Sequence, residues 1–363
     1  MKKLNLFAVA LATTALTFTT ACSDDSDDST DASNPPGGGG NSPTVNSYSG
    51  SATYGDLVTF SINKTEGSYT LNNETTGQTE SGNYTVSTDT YFKGVYQVSA
   101  GGNTFFGIEL DDKIVTANFP SGNSSNDLSF GVSSEIDNSG RLNEIAGDYF
   151  YVKLGSYLAN GNPMEWGVFT AGTDSIWGVT EASGNNGPED ITINRPLDYS
   201  VSDFDLSYTV NNDRLTISDG SGSNLTGYVY AAGNTSVFLI DQGTGMGTYI
   251  AYKIDDNFNP ANSTGNYKFI DFATDGTKGA GNYNIDANGN VKYSWTDGTA
   301  ANTVTDISLN SALTQSNIPN VWYAYNVNSD GDNLYLVVAG DAIMHYVFDR
   351  NFNFIEYGAG AKL

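Results

Sequence analysis

The stretch Tyr283-Asn284-Ile285-Asp286-Ala287-Asn288-Gly289-Asn290-Val291-Lys292-Tyr293 decides the fold class. Two short runs, each with an aromatic and a β-branched residue, flank an Asp/Asn/Gly centre, and Asn-Gly supplies the positive φ angles that close a tight hairpin. The same grammar recurs at Asp330-Gly331-Asp332, between Tyr325-Asn326-Val327 and Leu334-Tyr335-Leu336. Turns this short join antiparallel neighbours, because parallel strands need crossovers of a dozen or more residues. The predicted topology is an antiparallel meander.

Outward from this hairpin, the chain from Tyr48 onward repeats one theme. Short runs rich in Val, Ile, Thr, Tyr and Phe alternate with Gly/Asn/Asp turns, as in Leu57-Val58-Thr59-Phe60-Ser61-Ile62, Phe105-Phe106-Gly107-Ile108-Glu109-Leu110 and Ser236-Val237-Phe238-Leu239-Ile240. About two dozen such runs make an all-β signature. No stretch sustains helical periodicity, and the best helix candidate is short, near Leu309 to Gln315. Gly-(Asn/Asp)-Tyr opens strand-like runs at Gly82, Gly147, Gly265 and Gly281, with irregular spacing that argues against a propeller or solenoid of fixed period.

These features predict tandem antiparallel β-meander units, small barrels or sandwiches. The first unit is expected over 47–138, the second over 139–260 and the third over 261–363, with seams at Asn138-Ser139-Gly140 and Asn259-Pro260-Ala261-Asn262.

The 363 residues include 15 Lys+Arg against 41 Asp+Glu, a formal net charge of −26, which repels nucleic acid and anionic lipid as partners. Charged residues are nonetheless only 15 % of the chain, and 23 tyrosines accompany 41 glycines, so the body does not read as a disordered acidic tail. With one cysteine there is no disulfide framework.

At the N-terminus, Lys2 and Lys3 precede a run from Leu4 to Leu16 that is apolar apart from Asn5, Thr13 and Thr14. It is too short to span a bilayer and reads as a signal peptide over 1–21. Cys22 follows Thr19-Thr20-Ala21. This resembles a bacterial lipoprotein signal, in which the lipobox cysteine is acylated and becomes the mature N-terminus. Ala21 and Cys22 match, Thr20 is an acceptable small residue, and Thr19 stands where leucine is usual. The resemblance implies lipidation of Cys22 and membrane attachment through its acyl chains. Ser23 in place of an aspartate implies outer-membrane delivery, and Ser23-Asp24-Asp25-Ser26-Asp27-Asp28 is similar to the acidic export tag of surface-displayed lipoproteins of the Bacteroidota. Residence on the periplasmic face is the other reading. The following Gly/Pro/Ser-rich segment completes a disordered tether over 22–46.

Candidate chemistry is sparse. The single histidine, His345, lies on the strand face shared by Ile343 and Val347; with no second histidine and no nucleophile elbow, it reads as a packed strand residue. Paired carboxylates would suffice for a glycosidase, and Glu109, Glu165 and Glu181 lie in or beside strand-like runs. If a two-residue turn sits at Ala171-Gly172, Trp166 and Trp177 face one another across a hairpin, either as a stacking platform for sugar rings or as a core aromatic pair. Asn326, Asn328, Asp330 and Asp332, like Asp286 and Asn288 in the other turn, alternate as in the first half of a calcium loop. The acidic twelfth position is Val337 and Trp295 respectively, so hairpin turns account for both; Ca2+ is the one cofactor this pattern suggests.

The expected function is a non-catalytic outer-membrane lipoprotein acting as a binding or adhesion module for an extracellular polymer, such as a glycan, or for an envelope protein partner. Its Tyr/Ser/Asn/Gly richness suits recognition loops. The alternatives are a glycan-active hydrolase with paired carboxylates and a structural or envelope-assembly lipoprotein.

Overall fold

Antiparallel pairing, mostly between chain neighbours, builds three rings, of which the second is a closed barrel and the other two are nine-stranded sheets with two edge strands each. The computed structural model describes residues 45–88, 93–100, 103–110, 113–118, 128–154, 165–182, 204–222, 224–232, 235–258, 264–273, 277–288, 290–296, 307–308, 313–351 and 354–362, so Cys22 and nearly all of the tether lie outside it. The first ring comprises β1 (Val45–Ala52), β2 (Asp56–Asn63), β3 (Ser68–Asn73), β4 (Gln78–Asn83), β5 (Thr85–Val86), β6 (Tyr96–Ala100), β7 (Asn103–Leu110), β8 (Ile114–Ala117) and β9 (Ser129–Ser133). The last strand returns to pair with the first. The sheet's two edges, β4 and β5, are separated in the chain by Tyr84 alone, so one bent segment pairs with β3 before Tyr84 and with β6 after it.

One helical turn, α1 (Leu142–Ile145), is the only helix among the described residues and leads into the second ring. That ring is a closed barrel of β10 (Gly147–Leu154), β11 (Glu165–Ala171), β12 (Ser175–Ala182), β13 (Phe204–Asn211), β14 (Arg214–Ser218), β15 (Asn224–Ala232), β16 (Thr235–Asp241) and β17 (Thr248–Lys253). The third ring repeats the strand order of the first with β18 (Gly265–Ala273), β19 (Lys278–Ile285), β20 (Val291–Thr296), β21 (Ile307–Ser308), β22 (Thr314–Gln315), β23 (Val321–Ala324), β24 (Asn333–Ala339), β25 (Ala342–Phe348) and β26 (Phe354–Lys362). The expectation of an all-β fold of antiparallel meanders holds.

Three local expectations are corrected. The helix candidate ends in strand β22: Thr314 and Gln315 pair with Tyr323 and Trp322, because this short segment supplies an edge of the third ring; residues 309–312 lie outside the described set. Tyr325-Asn326-Val327 is not strand. Asn326 adopts φ +52°, a left-handed conformation that no ladder accommodates, so β23 stops at Ala324. The tether gives way to β1 at Val45, and Asn46 is already buried inside the ring.

Alternation along the strands sends one set of side chains into each ring and the other outward. The interiors are filled with aromatics: Tyr48, Phe60, Tyr69 and Phe105 in the first, Tyr149, Tyr151, Phe169 and Phe238 in the second, Tyr267, Phe269, Tyr283 and Trp322 in the third. The outward sets meet in one shared core that draws on all three rings, including Phe130, Val152, Leu239, Tyr335 and Tyr346. Strands buried on both faces read in sequence as unbroken apolar runs; every residue of β16 and of β24 is buried. Polar contacts seal the seams: Tyr357 donates to Thr53 Oγ1 at 3.1 Å, Asn320 Nδ2 to the Lys253 carbonyl at 3.2 Å, and Lys113 approaches Asp341 at 3.5 Å.

Half of the Gly-(Asn/Asp)-Tyr repeat is a structural equivalence. Gly147 and Gly265 open the first strands of the second and third rings at φ +143° and +141°, and a Cβ on either would lie 2.7 Å from the Cε of a lysine ending the ring's last strand, Lys253 or Lys362. The backbone requires glycine at both, while the lysine tip that a Cβ would meet is flexible and could move aside. The other two copies have different roles: Gly82 precedes the bend at Tyr84, and Gly281 lies within β19.

Candidate functional site

Ile343, His345 and Val347 do share a face of β25, and it is the interior face of the third ring, where His345 is 0 % exposed. Adjacent strands place two carboxylates beside it. His345 Nε2 lies 3.1 Å from Glu356 Oε1 on β26, and one ligand atom each from Asp271 on β18, His345 and Glu356 fall within 4.8 Å of one another. All three lie at one level of the ring, since Asp271 and His345 both pair with Gly358, two residues along β26 from Glu356.

The strands make room for this cluster with glycine. In register, Asp271 faces Gly279 on one side and Gly358 on the other, and Gly358 also faces His345. A Cβ at Gly358 would lie 2.3 Å from His345 Cε1, and one at Gly279 would lie 2.2 Å from Trp295 Nε1. That indole nitrogen donates to Asp271 Oδ2 at 2.5 Å. The imidazole is walled by Phe269 and Tyr283 in edge-on contacts, with centroids 4.7 and 5.5 Å away.

Electrostatically, the cluster is costly as free charges. Burial, and then the adjoining Glu356 carboxyl, hold the Asp271 carboxyl well above the usual carboxylate range. The same two acids, after burial, push up the phenols of Tyr283 and Tyr293. His345 Nδ1 is buried without a hydrogen-bond partner, which costs about 1–3 kcal/mol in an apolar interior, and Asp271 Oδ1 has no donor outside the Glu356 carboxyl. Two acids in contact can share a proton or hold a cation between them. Solvent reaches Glu356, whose side chain is 21 % exposed.

Asp271 and Glu356 are the residues that reading the sequence missed. One signal was present: Asp271 interrupts the apolar strand Tyr267-Lys268-Phe269-Ile270-Asp271-Phe272, where a lone carboxylate needs a partner.

The residues singled out from sequence lie elsewhere. Glu109 is inside the first ring, where Asn46, Tyr48 and Tyr96 donate to it and Lys64 approaches at 3.4 Å. Glu165 pairs with Ala182 and Glu181 with Trp166 in the β11–β12 ladder, two offset register positions. The hairpin expectation for the tryptophans is corrected. Ala171 pairs with Ile176, so the loop is longer than two residues and Trp177 faces Thr170, not Trp166. Trp166 is 3 % exposed, packed edge-on against Phe348 of the third ring at 6.0 Å; the Trp177 ring packs on the same shared core.

In the calcium-like turn, Asn328 Oδ1 accepts from the backbone N–H groups of Asp330 and Asp332, and Asn328 Nδ2 donates to Asp332 Oδ2 at 2.7 Å. The other turn repeats the pattern with the residue types exchanged: Asp286 accepts from the N–H groups of Asn288 and Asn290 and from Asn290 Nδ2 at 2.8 Å. Both are closed by their own side chains, as Asx turns are.

No protein-family model and no curated protein matches the chain. Among solved structures it is similar to a protein of unknown function of the DUF3598 family from Nostoc punctiforme, at 6 % identity over 61 % of this chain and 97 % of that one, TM-score 0.23. It is also similar to a double mutant of transferrin binding protein B from Haemophilus parasuis, at 9 % identity over 89 % and 76 %, TM-score 0.27. Intact Ap-TbpB with its N and C lobes matches at 10 % identity over 88 % and 77 %, TM-score 0.27. Likeness at this level carries nothing about chemistry.

Proposed function

We propose that the chain is a non-catalytic, lipid-anchored protein of the outer membrane, displayed at the cell surface, that uses three fused β-rings as a rigid binding or adhesion module. It contacts an extracellular polymer or an envelope partner through the loops at the ring ends. One observation carries the non-catalytic part of this reading. Among the described residues, the carboxylates and histidine that converge lie inside the third ring, with Asp271 at 2 % and His345 at 0 % exposure and only Glu356 partly reached by solvent. A glycosidase must straddle its sugar with two carboxylates, and that requires a cleft.

The shared core supports the binding part. Loops on a rigid scaffold bind with little ordering cost, and the polar Asx turns at the ends of β19 and β23 are of the kind that makes adaptable hydrogen bonds. The net charge of −26 favours a neutral or basic partner. Anchoring rests on the lipobox-like Thr19-Thr20-Ala21-Cys22.

The test is protease shaving of intact cells, with detection of the folded region in wild type and Cys22→Ala. Cleavage in the wild type together with loss of surface display in Cys22→Ala is expected. Protection of an acylated wild type would place the module in the periplasm and overturn surface display.

A further inference from the structure

We propose that Asp271, His345 and Glu356 bind one divalent first-row transition ion of the Zn2+ class inside the third ring. This goes beyond the binding-module reading, which invokes no metal.

Geometry is the first support. The His345 Nε2 to Glu356 Oε1 separation of 3.1 Å matches neighbouring ligands around one ion with bonds of about 2.0–2.2 Å, and the Asp271 donor, within 4.8 Å of both, completes the set once it lies inside twice that bond length, about 4.4 Å. The donor set is the second. One imidazole with two carboxylates suits a borderline ion such as Zn2+, whereas Ca2+ takes roughly six to eight oxygens, more than this cluster offers.

The third support is independent of the cluster's composition. Asp271 is 2 % exposed, Trp295 Nε1 fixes its Oδ2, and outside the adjoining Glu356 carboxyl no group donates to its Oδ1. An indole that orients one oxygen while the other is left facing only a second carboxyl is the arrangement of a carboxylate held ready as a ligand. A doubly charged ion would also neutralise the buried Asp271 carboxylate and the partly exposed Glu356 beside it. Because the side chain of Glu356 is partly exposed, an ion can enter where a sugar cannot.

The experiment uses the full chain in detergent, stripped of metal, titrated with Zn2+ by calorimetry and with Co2+ by visible absorption. Wild type is expected to take up one equivalent and to give the absorption bands of a low-coordinate Co2+ site. Glu356→Gln and Asp271→Asn, both nearly isosteric, are each expected to weaken Zn2+ by at least about 100-fold while circular dichroism stays unchanged. Asp332→Asn, in the acidic turn, is expected to bind as wild type does. Absence of a saturable equivalent in wild type, or stoichiometric binding that survives Glu356→Gln, overturns the proposal. Should Asp271→Asn fail to fold, the more exposed Glu356→Gln decides alone.

Discussion

Ser51 Oγ on β1 donates to Asp241 Oδ1 on β16 at 3.1 Å, closing the seam between the first and second rings with a hydroxyl on a buried carboxyl. Thr248 Oγ1 lies 2.6 Å from the same hydroxyl, the Gly243 N–H donates to Asp241 Oδ2 at 3.2 Å, and Asp56 adds a second carboxylate. Burial dominates, and it pushes the Asp241 carboxyl up to about 7.

A raised carboxyl stabilises the fold only while it is protonated. Its contribution is complete below the unfolded value near 4 and is lost as pH rises through about 7. The chain is therefore expected to melt higher at pH 5 than at pH 8, by a difference on the order of 3 kcal/mol from this group. Asn at 241 keeps a carbonyl for the Gly243 N–H and turns its amide to Ser51, so Asp241→Asn should flatten the profile in this window. A slope of the same sign left in that variant would belong to the other raised carboxyls, Asp271 and Glu80. Melting scans across pH on both chains check this.

Trp166→Ala separates the two readings of the aromatic pair. Trp166 fills the junction between the second and third rings against Phe348, so its loss is expected to cost about 3–5 kcal/mol. Denaturant unfolding measures the cost; an unchanged midpoint with loss of glycan binding would restore the platform.

Gly50→Ala tests how closely β1 and β9 are packed. The added Cβ would lie 1.6 Å from the Phe130 carbonyl oxygen, on backbone that cannot move aside. Loss of soluble folded protein is expected, an overpacking penalty of more than about 3 kcal/mol. Gly140→Ala, with nothing within 4 Å, is the control and should be neutral.

The turn at Asn328 is expected to be a hydrogen-bonded cap independent of calcium. Asn328→Ala removes two acceptor contacts and should cost about 1 kcal/mol, while added Ca2+ should leave the melting temperature of wild type unchanged. A calcium-induced rise abolished by Asn328→Ala would reinstate the calcium loop.

What the sequence determined is local. Asn-Gly and Asp-Gly turns and period-two aliphatic and aromatic runs fix antiparallel neighbours, because turn chemistry and side-chain alternation act over a few residues. The runs Val237-Phe238-Leu239-Ile240 and Leu334-Tyr335-Leu336-Val337-Val338 were legible as strands, and their burial on both faces came only with the structure. Tertiary structure decided the rest. The bend at Tyr84, the pairing of β1 with β9 and of β18 with β26, and the shared core between rings rest on contacts between residues far apart in the chain. The candidate site belongs to this second class. Asp271, His345 and Glu356 meet only because ring closure sets β18, β26 and β25 side by side, and two glycines distant in sequence leave the space they occupy. No spacing along the chain records that convergence, since it is made by hydrogen-bonded register between strands and not by neighbours in sequence.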